Sequence, residues 1–381
     1  MPPTEVAIYT VRTHLAFALR LHRALGADSR QPVCWSPFSM ATALGSLALG
    51  AAGKTAEELS ALLVGTAHGA LDGLVWFLHG SNSLRELEDT PEDEHPVFAV
   101  INRFWANNGI DIREDYQENL RLLPNAVAAG MPYAENPEQA REIINFVIGH
   151  ITRGLVAQLL PSGSVDAGTI AMLISAVYLK TAWHKRFREY STEDLTFHGV
   201  DCDQPVPTMR TSQRLEYAAA GGWQVVVLPA EGGVDALVLL PDGDLATAEA
   251  GLNAQTLDAL LRAPEPTAVE LFLPRFRLQV TSPLRDALCS LGVRTMFTGD
   301  ADFSVASADP LRVSDVRHDT VLRVDEEGIE GAAATAAAFT LISMATRGSH
   351  AVTVRVDRPF LFLVRHQDSG ALYFMARVVQ P

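Results

Sequence analysis

The stretch that decides the fold runs from Val324 to Thr346 and reads VDEEGIEGAAATAAAFTLISMAT. From Gly331 to Thr346 it contains neither a charged residue nor a proline. Alanine has the highest helix propensity, so a plain helix is one interpretation. A flexible linker would carry more glycine, serine or proline, and alanine, threonine and serine are too weakly apolar for a membrane segment.

The same stretch reads differently at the two-residue period of a strand. One face would carry Ile329, Gly331, Ala333, Thr335, Ala337 and Phe339, and the other Glu330, Ala332, Ala334, Ala336, Ala338 and Thr340. The first face is uncharged throughout, so it could lie against a core beneath a sheet. Because no proline interrupts the stretch, it could also enter a sheet interior. The pattern therefore predicts a segment that can be an exposed loop and later a central strand.

Outward from this stretch, helical patterns dominate the first half of the chain and strand patterns the second. Apolar spacing predicts an N-terminal helix carrying Leu15, Leu19, His22 and Leu25, and further helices over 39–49 and 143–160. Strands are predicted over 97–105, 169–183, 225–228, 236–240, 352–356, 360–364 and 372–379, with an edge-like strand interrupted by Pro274. Residues 86–95 are predicted to be an exposed acidic loop. This order indicates an α+β protein with a large mixed or antiparallel sheet.

Composition excludes several functional classes. The chain has 381 residues and a net charge of −15, which argues against a nucleic-acid binder and against docking on an anionic membrane. Its three cysteines, Cys34, Cys202 and Cys289, lie far apart and suggest neither a disulfide framework nor a zinc site. No apolar run reaches the length of a transmembrane helix. No basic-plus-apolar signal segment begins the chain, so a cytosolic protein, an unconventionally exported one and a mature form all remain open, and the localisation is left unassigned.

The sequence contains no complete catalytic or cofactor-binding motif. Gly53-Lys54-Thr55 looks like the end of a phosphate-binding loop, but the glycine required five residues earlier is Ala48. No HExxH, GxSxG, CxxC or GxGxxG sequence occurs, and the histidines show no metal-ligand spacing. We therefore expect neither an enzyme nor a cofactor.

Several motifs, taken in order, resemble the serpins, the family of serine protease inhibitors. Glu326-Glu327-Gly328, followed by Glu330 and the alanine-threonine run, resembles the hinge and reactive-centre loop of that family. The other matches are Ser36-Pro37-Phe38-Ser39, a helix signature around Ile144-Asn145, the strand from Val177 to Trp183, Leu273-Pro274-Arg275-Phe276, Leu291-Gly292 with Phe297, Arg358-Pro359-Phe360 and Phe374-Met375-Ala376. The resemblance covers nearly the whole chain. The many alanines and lean loops look like a prokaryotic, thermophilic-type serpin.

The resemblance implies the fold and the mechanism. It implies a single α+β domain over residues 1–381, with three β-sheets, about eight or nine helices and an exposed reactive-centre loop at about 328–350. In serpins a serine protease attacks this loop and forms an acyl-enzyme, and the freed loop inserts into the large sheet and traps the protease. The hinge of that movement would be Glu326, Gly328, Ile329, Glu330, Gly331, Ala332, Ala333, Ala334 and Thr335.

The resemblance also assigns the bond that the protease would cut. The residue before the cut usually lies sixteen residues after the hinge glutamate, which gives Ile342 followed by Ser343. The loop is a few residues longer than is common, so Leu341, Met344 and Phe339 are alternatives, and Arg347 is a more remote one. The candidates for the residue before the cut that lie near the counted position are apolar, which predicts chymotrypsin-like, elastase-like or subtilisin-like targets. No nucleic-acid or membrane partner is expected, and the protein is expected to be a monomer.

A polar cluster beneath the sheet and an entry point for the loop are implied in the same way. Ser36, Ser39 and His318 match the shutter positions of the family, whereas Ser175 stands where an asparagine is usual. Trp183 and Glu326 match the entry point, which is called the breach. The alternative function is that of a non-inhibitory binding or chaperone protein with the same fold.

Overall fold

The computed structural model describes residues 10–66, 71–82, 97–152, 154, 156, 158–330 and 351–381. Within these residues lie nine α-helices: α1 Val11–Leu25, α2 Pro37–Gly50, α3 Gly53–Val64, α4 Leu71–Gly80, α5 Glu114–Leu120, α6 Pro137–Ile151, α7 Leu245–Ala250, α8 Ala254–Arg262 and α9 Arg285–Ser290. Short 3-10 helices span Glu189–Ser191 and Thr295–Phe297. None of the described helices is both long enough and apolar enough to cross a membrane.

Capping residues explain where helices α2 and α6 begin. The Ser36 hydroxyl accepts a hydrogen bond from the Ser39 N–H, and Pro37 occupies the first turn of α2, so the predicted second helix starts two residues early. Helix α6 begins at Pro137, six residues before the predicted start at 143, because the Asn136 side chain caps it. The predicted end of α6 at residue 160 was wrong. The helix ends at Ile151, and Gly154, with φ of 81°, donates to the Gly149 carbonyl as the chain turns away.

The described strands are β1 Val33–Trp35, β2 Val97–Asn107, β3 Ala126–Met131, β4 Ala171–Ala182, β5 Glu193–His198, β6 Asp203–Ala220, β7 Trp223–Ala230, β8 Val234–Pro241, β9 Glu265–Pro274, β10 Phe276–Pro283, β11 Asp315–Val324, β12 Gly328–Glu330, β13 Val352–Arg355, β14 Phe360–His366 and β15 Leu372–Val378. Nine of them form one sheet in the order β1-β15-β14-β8-β7-β6-β9-β13, with β5 paired to β6. The other six form a second sheet in the order β10-β11-β12-β4-β2-β3.

Two details of the sheets differ from the sequence predictions. The described strands form two hydrogen-bonded sheets rather than three, because the long strand β6 pairs with β7 near one end and with β5 near the other. The edge-like strand around Pro274 is two strands. Pro274 ends β9, which lies between β6 and β13 of the nine-stranded sheet, and β10 begins at Phe276 as an edge of the six-stranded sheet.

The six-stranded sheet has a core on each face. Nearly all of α2 is buried, and its apolar residues belong to the larger core together with Val177 and Val316 of the sheet. The smaller core lies on the opposite face, where Ile144 and Ile148 of α6 pack against Met172, Ile174 and other sheet residues. Side chains of β4 therefore alternate between two buried surfaces, and every residue of this strand is buried.

Candidate functional site

The six-stranded sheet contains a seam between β11 and β4. Residues 315–319 of β11 pair directly with residues 172–176 of β4 in parallel orientation. Further along, the two strands separate and the three residues of β12 fill the gap, antiparallel to both neighbours. The sheet is therefore closed at one end of the seam and already holds an intervening strand at the other.

Close packing fixes the residue types of β12. A Cβ atom added to Gly328 would lie 2.0 Å from the Thr181 carbonyl oxygen of β4, so only glycine fits. Ile329, the next residue, is 1% exposed and packs into the larger core. Before the strand, Asp325 Oδ1 accepts hydrogen bonds from the N–H groups of Glu327, at 2.9 Å, and Gly328, at 3.3 Å, and these bonds hold the turn.

Glu326 is a buried anchor at the start of this turn. Its side chain is 3% exposed, and its carboxylate lies 2.6 Å from Arg275 Nη2 and accepts a hydrogen bond from the Thr192 hydroxyl. Burial acts to raise the pKa of the Glu326 carboxyl, but the hydrogen bonds from Arg275 and Thr192 outweigh burial and the pKa is lowered. The turn is therefore held by a charged carboxylate at neutral pH.

Trp183 fastens the same turn through its backbone and its ring. Its N–H donates to the Glu327 carbonyl at 3.0 Å, and its indole Nε1 donates to the Asp325 carbonyl at 2.8 Å. The ring lies edge-on to Phe187, whose N–H donates to the Glu326 carbonyl. The structure thus brings Trp183 and Glu326 together at the turn before β12, and their role as the entry point of the loop stays a prediction.

Four predicted polar residues meet beneath the closed part of the seam. The Ser36 N–H donates to His318 Nε2 at 2.9 Å, and His318 Nδ1 lies 3.2 Å from the Ser175 carbonyl. Since a backbone N–H can only donate, Nε2 is unprotonated and Nδ1 carries the hydrogen. The imidazole is fully buried, and burial, the largest cause, lowers the pKa of His318 to about 4. The hydroxyls of Ser39 and Ser175 lie 2.6 Å apart and complete the cluster.

Asn102 belongs to this cluster and was missed by sequence reasoning. It pairs with Ser175 across β2 and β4 and is 1% exposed. With its amide oriented to satisfy the surrounding donors and acceptors, Nδ2 donates to the Ser175 hydroxyl and to the Ser39 carbonyl, both at 3.1 Å. The amide that was expected at residue 175 is thus supplied by the neighbouring strand. The signal in the sequence was Asn102, which is followed by Arg103, within a predicted strand whose other residues are apolar.

The remaining predicted site residues lie outside the described residues, which stop at Glu330 and resume at Ala351. They are Ile342, Ser343, Leu341, Met344 and Phe339 at the reactive bond and Gly331, Ala332, Ala333, Ala334 and Thr335 in the hinge. The acidic stretch 86–95 also lies outside.

Comparisons with known proteins agree on one family. The profile described as "Serpin (serine protease inhibitor)" matches residues 12–381. Serpin B6 of Macaca fascicularis is 31% identical over 374 residues, covering 96% of this chain and 97% of that protein. An uncharacterised serpin-like protein of Thermococcus kodakarensis is 28% identical, covering 96% of this chain and 84% of the relative. The crystal structure of uncleaved ovalbumin superposes with a TM-score of 0.84 at 23% identity, covering 98% of this chain and all of that one.

Replacing Glu326 should destabilise the protein, whereas replacing its neighbour should not. Glu326→Ala removes a buried carboxylate with charged partners and should lower the free energy of unfolding by about 2 kcal/mol. The matched control is Glu327→Ala, because Glu327 is 56% exposed and its ion pair with Arg186 should contribute less than about 1 kcal/mol. Urea unfolding of both variants provides the measurement. Equal effects of the two substitutions would contradict the anchoring role of Glu326.

The buried His318 should make stability fall in acid. As the pH drops from 6.5 towards 4, the unfolded imidazole takes up a proton before the folded one, so the free energy of unfolding decreases, by up to roughly 3 kcal/mol. Asp319 acts in the opposite direction, because burial raises its pKa to about 6. The contribution of His318 is therefore the difference in the free energy of unfolding between wild type and His318→Gln. Urea unfolding between pH 7 and pH 4 measures this difference.

The expected result is a lower stability of His318→Gln at pH 7 and a gap to wild type that narrows as the pH falls. The exposed His79 offers the matched control, His79→Gln, which should parallel wild type. A gap that is constant with pH would show that the folded imidazole is not held neutral.

Proposed function

The chain belongs to the serpin family of serine protease inhibitors, and we propose that it is an inhibitory member that traps its protease by a suicide-substrate mechanism. The protease serine would attack the carbonyl carbon at the reactive bond. An ester to the protease would form as the peptide bond breaks and the new amine leaves. The freed loop would then enter the seam as a full strand and carry the tethered protease with it.

The observation that carries this proposal is the register of β12. Its pairs with β11 and with β4 define where any continuation of the strand would lie. Continued in that register, Thr335 falls opposite both His318 and Ser175, and these two residues pair with each other in the closed seam. If β12 were lengthened, it would separate β11 from β4, and the register of its present pairs with each strand would place the same residue opposite His318 and Ser175.

The residue types of the loop suit this path. Ile329 already points into the larger core, so the alternation of a strand would direct Gly331, Ala333, Thr335 and Ala337 to the same side. These side chains are small enough to pass between the sheet and α2. Thr335 would bring a hydroxyl to the polar cluster, where buried donors and acceptors need partners.

The energetics favour insertion once the loop is cut. The direct β11–β4 pairing of five residue pairs would be replaced by two antiparallel ladders, and each new hydrogen bond contributes about 0.5–1.5 kcal/mol net. Over about a dozen residues the gain is on the order of 10 kcal/mol. The uncut protein would accordingly be a metastable state, which is what a one-use trap requires.

Ile342–Ser343 is the proposed reactive bond, with Leu341, Met344 and Phe339 as alternatives for the residue before the cut. All of these residues before the cut are apolar, which supports chymotrypsin-like, elastase-like or subtilisin-like targets. The second candidate function is a binding or chaperone protein that keeps the fold without trapping proteases. Its loop would be cut without forming a stable complex.

Incubation with a panel of serine proteases tests the proposal. Chymotrypsin, pancreatic elastase or subtilisin should yield a complex that survives SDS, together with loss of protease activity and release of a C-terminal fragment beginning at Ser343. Trypsin is the specificity control and should give no such complex. Cleavage of the loop by every protease without a covalent complex would favour the second candidate function.

Ala333→Pro should convert the inhibitor into a substrate, because proline cannot donate to a sheet ladder and residue 333 would lie in the part of the strand that inserts first. The expected result is complete cleavage with at least about a tenfold loss of complex, which corresponds to about 1.4 kcal/mol or more in the competing step. Thr346→Pro is the matched control, since residue 346 follows the cut and would not insert. Unchanged trapping by Ala333→Pro would exclude loop insertion.

A further inference from the structure

A cleft of about 550 Å³ opens beside the hinge, at the end of the six-stranded sheet where β10 begins and β11 ends. Its lining residues are Glu189, Pro207, Arg275, Phe276, Arg277, Arg323, Val324, Asp325, Glu326, Glu327 and Pro381. Three of them are arginines, in a chain whose net charge is −15. Four acidic residues, Glu189, Asp325, Glu326 and Glu327, also line the cleft, so it is not cationic as a whole. It shares Arg275, Asp325 and Glu326 with the turn that precedes β12, whereas Arg277 and Arg323 have no part in that turn's contacts with Trp183 and Thr192.

Two of these arginines face each other across neighbouring strands. Arg277 of β10 and Arg323 of β11 are directly opposite in the antiparallel register. Opposed residues of such a pair point to the same face, with Cβ atoms about 4.5–5.5 Å apart, and like charges in this arrangement are destabilising. Their neighbours Phe276 and Val324 are buried on the other face, which directs both guanidinium groups outward into the cleft.

Two of the three arginines in the cleft form ion pairs with carboxylates. Arg323 Nη2 lies 2.9 Å from Asp325 Oδ2, and Arg275 is engaged by Glu326. Among the residues that the structure describes, Arg277 makes no ion pair, and its side chain is exposed. The cleft thus presents one guanidinium that is paired with a carboxylate and one that has no ion pair among the described residues, from directly opposed positions on neighbouring strands.

We propose that this cleft is a binding site for a small phosphate-bearing dianion held between Arg277 and Arg323. Planar guanidinium groups bind phosphate oxygens through pairs of parallel N–H···O bonds, and such charge-assisted bonds are among the strongest in proteins. A bridging dianion also removes the repulsion between the two arginines. The cleft also holds the carboxylates of Glu189, Asp325, Glu326 and Glu327. They would repel an extended polyanion, so the site favours a small ligand over a nucleic acid or a polysaccharide.

Occupancy of this site would be linked to the hinge through Asp325. Asp325 binds Arg323 through Oδ2 and holds the turn before β12 through Oδ1. A bound dianion would fix Arg323 and would therefore steady the edge of the sheet from which the hinge starts. Anion binding does not depend on protease trapping, so a negative result for one would not contradict the other.

Titration calorimetry with inorganic phosphate and with pyrophosphate, at constant ionic strength set by sodium chloride, tests the proposal. The wild-type protein should bind pyrophosphate at one site with a Kd on the order of 1 mM. Arg277→Gln should weaken binding at least about tenfold. Arg214→Gln is the matched control, because Arg214 is also an exposed arginine on a strand but lies away from the cleft, and it should leave binding unchanged.

A second variant separates binding from folding defects. Arg277→Glu should abolish pyrophosphate binding and, because it places a carboxylate opposite Arg323, should raise the apparent unfolding temperature in the absence of the anion. General stabilisation by phosphate salts would be the same in all variants. Binding of equal strength in wild type and Arg277→Gln, or no saturable binding by the wild type, would overturn the proposal.

Discussion

The direct pairing of β11 with β4 is the interaction on which the rest of the structure depends. Over five residue pairs the two strands form a parallel ladder, although the strand that could separate them has already entered at one end. Parallel pairing is slightly less stable per residue than antiparallel pairing. In the intact protein the direct pairing of β11 with β4 therefore satisfies the backbone groups of the seam. If β12 were longer, both strands could instead pair with it in the more stable antiparallel orientation.

Two sets of contacts restrain that change, one at each part of the seam. At the entry, the carboxylate of Glu326 and the ring of Trp183 hold the turn that precedes β12. Beneath the closed part, the neutral imidazole of His318 joins α2 to the strands through Ser36 and Ser175. These groups are buried and hydrogen-bonded, so separating the strands exposes polar atoms that must find new partners. These contacts lie only along the boundary between β11 and β4, so separating these two strands does not require the other strands of the sheet to change partners.

Sequence alone predicted the parts of the fold that depend on local pattern. Resemblance to the serpins singled out Ser36, Ser39, Ser175 and His318, and the structure brings these four residues into one cluster. The central strand predicted for the charge-free run after Glu330 lies outside the described residues and stays a prediction. The roles proposed for Ile342 and Ser343 remain predictions. The resemblance implied eight or nine helices, and nine lie within the residues that the structure describes. Periodicity alone predicted only some of these helices and strands.

What sequence could not predict were partners that tertiary packing brings together. Asn102 and Arg275 lie far along the chain from Ser175 and Glu326, and no periodic signal links them. The same limit explains the error around Pro274, because strand alternation continues on both sides of the proline and does not show that the chain passes from one sheet to another. The merging of two expected sheets into one depends on β6, whose length was not apparent from its mixed composition.

The most direct test of the account is the unfolding temperature before and after a single cut within residues 331–350. If the seam accepts the freed loop as a strand, the cut protein should unfold roughly 20 °C higher than the intact protein, because about 10 kcal/mol of new pairing is gained. An unfolding temperature that stays the same or falls after the cut would contradict the claim that the intact seam is a metastable acceptor for its own loop.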